Sequence, residues 1–77
     1  MTYFRMLCRV QQLGQGEFLA FVTAIPDNGD SAEIRTLSQL FASRDAAREN
    51  AGYLLERMRG VVLRIEGRIT EVVTEGL

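Results

Sequence analysis

Histidine, lysine and tryptophan are absent from this 77-residue sequence, which holds a single cysteine and a single proline. Without histidine, the commonest general base at neutral pH and the commonest metal ligand are both missing. Without lysine, Schiff-base chemistry has no amine. The lone Cys8 can neither close an intramolecular disulfide nor build a thiolate zinc site, and no histidine stands by to activate it. The sequence therefore leads us to expect no metal site, no cofactor, no recognisable catalytic constellation and no enzyme.

Long apolar runs are also lacking. Arg5 and Arg9 interrupt the stretch from Met1 to Val10, so neither a secretory signal nor a transmembrane span is expected. With a single cysteine, a reduced cytoplasmic compartment is the natural expectation. No charge of one sign dominates either: nine basic residues, all arginine, face ten acidic ones for a net charge of -1. Tight non-specific nucleic-acid binding is not expected from such a balance. An arginine-only basic set suits bidentate contacts to phosphate or carboxylate, and it also follows from codon usage in a GC-rich genome.

What is present is ordinary for a folded domain: 47% hydrophobic and 25% charged residues. Residues 1–77 suffice for one small domain with a thin core, since a chain of this size buries only about 60% of the surface its unfolded form exposes. Phe4, Met6, Cys8 and Val10 alternate with Arg5, Leu7, Arg9 and Gln11, the period of a strand with one buried face. Gly14 and Gly16 mark a turn. Read as a phosphate loop, that turn lacks a lysine, a third glycine and a following helix; a hairpin explains it. Glu17 to Ile25 is almost wholly apolar, which predicts a central strand covered on both faces. Pro26, Asp27, Asn28 and Gly29 end it. Asp27, Asp30 and Glu33 do not match a twelve-residue calcium loop and read as a solvated turn.

A third strand is predicted over Ala32 to Phe41 and a helix from a Ser43 cap to Arg59, with Gly60 as its stop. Ala47, Ala51, Leu54, Leu55 and Met58 form the apolar stripe, and Gly52 falls on the polar side. The β-branched stretches Val61 to Glu66 and Ile69 to Val73 predict two short strands joined by a Glu66-Gly67 turn, with one long bulged strand as the alternative. The expected fold class is α+β: an antiparallel sheet of four to five strands packed on one amphipathic helix, in the order β-β-β-α-β-β.

Two candidate surfaces follow. Leu19, Phe21, Thr23 and Ile25 lie on a strand that one helix cannot cover twice, which points to a protein partner or a second copy, with a homodimer as the simplest case. The C-terminal strands folding back over that face are the rival explanation. Tyr3, Arg5, Arg9, Arg35 and Arg64, were they to share a sheet face, would form an aromatic and arginine surface for single-stranded RNA or DNA. Cross-strand ion pairs with Glu33 and Glu66 account for the same arginines.

The stretch Ser43, Arg44, Asp45, Ala46, Ala47, Arg48, Glu49, Asn50 and Ala51, after strands ending in Pro26-Asp27, resembles the small antitoxin domains of the HicB type. The resemblance covers about residues 3 to 66. It implies a partial ribonuclease-H-like β-β-β-α-β core and a homo-oligomeric, partner-binding protein that is not a nuclease. The chain departs from that pattern in opening its second strand with Gly16-Glu17-Phe18 and in lacking a Gly-Cys pair after the proline turn. The leading expectation is a small non-enzymatic interaction protein, possessing antitoxin-like features and associating through a sheet face. The alternative is a nucleic-acid-binding protein.

Overall fold

The computed structural model describes all residues from Met1 to Leu77. Strand β1 (Tyr3–Gly14) and strand β2 (Glu17–Pro26) form a hairpin. A single 3-10 turn at Ser31–Glu33 leads to strand β3 (Arg35–Phe41). Helix α1 (Arg44–Arg64) crosses the sheet, and strand β4 (Arg68–Glu75) closes the chain. The fold is α+β, with one helix on one face of a four-stranded sheet of order β3-β2-β1-β4.

The hairpin turns at Gly16, whose φ of 78° is a left-handed conformation that glycine adopts without cost. Farther on, the Asn28 carboxamide oxygen accepts the Asp30 N–H at 2.9 Å, and Asp30 in turn accepts the Ala32 N–H at 3.0 Å. Asn28 and Asp30 thus serve local backbone geometry, while Asp27 faces Arg5. The third strand begins at Arg35 and not at Ala32, because the Asp30 cap winds Ser31–Glu33 into the 3-10 turn.

Helix α1 starts where the sequence places it. The Ser43 hydroxyl accepts the Ala46 N–H at 3.1 Å, and Asp45 occupies the first turn. It does not stop at Gly60. The buried stripe Ala47, Ala51, Leu54, Met58 continues one turn on to Val62, so packing carries the helix through both the glycine and the β-branched pair. The end comes at Glu66, which takes φ 58°; its N–H reaches the Leu63 carbonyl at 3.0 Å and the Gly67 N–H reaches the Val62 carbonyl at 2.9 Å. These two bonds make a Schellman stop with glutamate in the left-handed position.

The expected strand over Val61 to Glu66 is therefore helical through Arg64, and the sheet has four strands in the order β-β-β-α-β. The sheet is mixed as well. β1 pairs antiparallel with β2, and β2 with β3, whereas β4 lies parallel to β1. The parallel pair is a consequence of connectivity: the helix carries the chain across the sheet face, and a strand entered after such a crossover runs in the direction of the strand that preceded it.

Every fully buried hydrophobic side chain sits between sheet and helix. Phe4, Met6, Cys8 and Val10 come from β1, and Ala20, Val22 and Ala24 from β2. The small residues Ala47 and Ala51 let the helix approach the hairpin closely. No helix is long and apolar enough to cross a membrane.

Candidate interaction surface

Because side chains alternate along a strand, the burial of Ala20, Val22 and Ala24 under the helix sends Leu19, Phe21, Thr23 and Ile25 to the opposite face. All four predicted surface residues are thereby brought together. Register extends the patch across the sheet: Leu19 stands opposite Leu40, Phe21 opposite Ser38 and Arg9, and Ile25 opposite Arg5. Leu7 lies beside Val73 of β4, and with Ile25 and Arg5 they line a shallow depression. Leu40 is 56% exposed and Val73 39% exposed. Leu7, Leu40 and Val73 were not singled out by sequence, since their membership depends on strand register.

Nothing in the chain covers this face. The expectation that β2 is covered twice is corrected for the single chain: α1 covers one side, and the other is open. The folding-back of C-terminal strands does not occur, because residues 61–64 continue the helix and β4 extends the sheet at its edge.

The open face carries charges of both signs, with Arg5 and Arg9 of the interior strand β1 set among its apolar residues. Arg9 contacts Glu75 at 3.5 Å and Arg5 approaches Asp27 at 3.9 Å. Thr23 and Thr36 share a hydroxyl hydrogen bond of 3.2 Å across β2 and β3. The arginines of β1 thus pair with Glu75 and Asp27, not with the Glu33 and Glu66 that the sequence suggested.

The proposed aromatic and arginine surface is divided. Tyr3, Arg5 and Arg9 lie on the open face. Arg35 stands opposite Ala24, whose side chain is under the helix, and donates to the Ala32 carbonyl at 3.3 Å. Arg64 is the last residue of α1. Five residues that looked like one face occupy three places, because register puts Arg35 on the helix side and the lengthened helix removes Arg64 from the sheet.

Cys8 is buried, 1% exposed, with its thiol 3.9 Å from the Ala51 carbonyl. Burial pushes its pKa up from the ordinary value. A raised pKa and a closed environment describe an inert core thiol, not a nucleophile. In comparisons with known proteins, no family model matches this chain, and neither a curated protein nor a solved structure matches it.

Proposed function

We propose that this chain is a small non-enzymatic interaction module that associates with a second copy of itself through the open face of its sheet. The observation that carries the reading is the alignment of Leu19, Phe21 and Ile25 with Leu7, Leu40 and Val73 on a face that no element of the chain covers. Contiguous apolar surface of this kind marks interaction sites in soluble proteins.

A second copy suits the face on two counts. Four strands at ~4.8 Å spacing and about eight residues at ~3.3 Å rise give roughly 500 Å2 per copy, so two copies bury near 1,000 Å2, the small end of specific interfaces. The face also carries both signs, with Arg5 and Arg9 beside Asp27 and Glu75, so a two-fold pairing can set each arginine against an acid of the other copy. The antitoxin-like role is a further part of the proposal, resting on the resemblance at Ser43 to Ala51.

Light scattering across a concentration series tests it. A mass rising toward twice 8.7 kDa supports the reading, and a constant mass of 8.7 kDa at several hundred micromolar rejects it.

A further inference from the structure

The two edges of the sheet are guarded differently. β4 carries Arg68, Glu71 and Glu75 and breaks register against β1 between Phe4 and Arg5, features that discourage further pairing. β3 has none of these from Thr36 to Phe41: no charge, no proline and a regular register against β2. Its outer row of backbone N–H and C=O groups is open to a further strand.

On the helix side of this edge lies a groove of about 290 Å3 lined by Leu37, Glu56, Arg57, Gly60, Val61 and Arg64. Gly60 helps keep it open. A Cβ there would meet nothing within 4 Å, so no packing contact requires a glycine that weakens the helix. Arg57 and Arg64 stand two helical turns apart, about 10.5 Å along the axis. Neither forms an ion pair, while Glu56, the one acid of the groove, is engaged by Arg59 at 3.5 Å. Two free guanidinium groups flank an apolar floor made by Leu37 and Val61.

We propose that the β3 edge accepts an extended acidic peptide segment as a fifth strand, with an apolar side chain entering the groove over Gly60 and carboxylates meeting Arg57 and Arg64. Main-chain pairing supplies affinity in such strand addition, and alternate side chains supply specificity. On an extended strand, side chains four residues apart share a face and lie roughly 13 Å apart, within reach of two flexible arginines spaced as these are. The matching pattern is acidic, apolar, acidic at alternate positions. The groove lies on the helix side of the sheet and the open face on the other, so pairing at the β3 edge does not require self-association, although β3 also contributes Ser38 and Leu40 to the open face.

The test is an NMR titration of the full chain with a blocked Thr-Glu-Thr-Val-Thr-Glu-Thr peptide and with its lysine counterpart. The expected result is a shift of the backbone amides of residues 36–41 with the acidic peptide alone, and affinity lowered about tenfold or more in an Arg57→Glu, Arg64→Glu double variant. Both arginines are exposed on the helix, and the amide spectrum reports whether the variant remains folded. Gly60→Leu, which fills the groove without altering charge, weakens binding on the same grounds. Unshifted β3 amides at millimolar peptide, equal binding of the lysine peptide, or indifference to all three substitutions overturns the proposal. Preferential binding of a short oligothymidylate at the same groove also overturns it and assigns the groove to nucleic acid.

Discussion

Gly67 packs its bare α-carbon against the ring of Phe4: a Cβ at this position would lie 2.7 Å from Cε2 of that ring and 2.9 Å from Cγ1 of Val62. Phe4 and Val62 are themselves fully buried and have nowhere to move. The contact demands glycine at position 67, whereas the left-handed position of the helix stop is held by Glu66. The chain needs its glycine one residue later, where α1 turns into β4 over the core.

Gly67→Ala is expected to destabilise the protein by about 1–3 kcal/mol, the usual cost of overpacking a dense core. Glu66→Gly, at φ 58°, is expected to stabilise it by up to about 1 kcal/mol, since the strain of a left-handed non-glycine residue is removed. Urea unfolding of both variants checks the pair; the opposite ranking contradicts the account of this helix stop.

Gly52 is exposed on α1, and a Cβ there meets nothing within 4 Å. Gly52→Ala is expected to raise stability by about 1 kcal/mol through helix propensity alone. A loss of stability that depends on protein concentration would instead locate a close interchain approach at this point of the helix.

The Cys8 thiol is held neutral by burial, its pKa raised above 9.0. A group that keeps its proton longer when folded contributes stability that is fully present below the unfolded pKa and is lost as pH rises from about 9.0 through the folded value. Unfolding free energy of the wild type is expected to fall in that alkaline window more steeply than that of Cys8→Ala, by at most about 1.4 kcal/mol per pH unit. Thiol reagents are expected to label Cys8 slowly in buffer and rapidly in denaturant. Rapid stoichiometric labelling of the folded protein would refute its placement.

Phe21 lies near the middle of the open face, between Ser38 and Arg9. Phe21→Asp is expected to shift the association equilibrium to monomer while the helical circular dichroism signal persists, because the side chain faces away from the core. Removing one aromatic anchor from an interface costs about 2 kcal/mol or more, roughly a thirtyfold change in dissociation constant. A folded dimer that survives both Phe21→Asp and Leu19→Asp places the interface elsewhere.

The amino-acid sequence by itself determines the local elements whose signals lie within a few residues. The alternation from Phe4 to Val10 fixes β1 and buries Cys8; Gly16 fixes the hairpin; Ser43 and Asp45 start the helix; and the alternation of β2 puts Leu19, Phe21, Thr23 and Ile25 on one face. Tertiary structure decides what depends on residues distant in the chain. Val61 and Val62 carry a strand propensity, but Val62 falls one helical turn beyond Met58 and gains a place in the core, so burial outweighs propensity and the helix runs on. The direction of β4 follows from the crossover, and the company kept by Arg35 and Arg64 follows from register and helix length. Arginines carry no such local signal, because a long charged side chain is tolerated wherever its head reaches water.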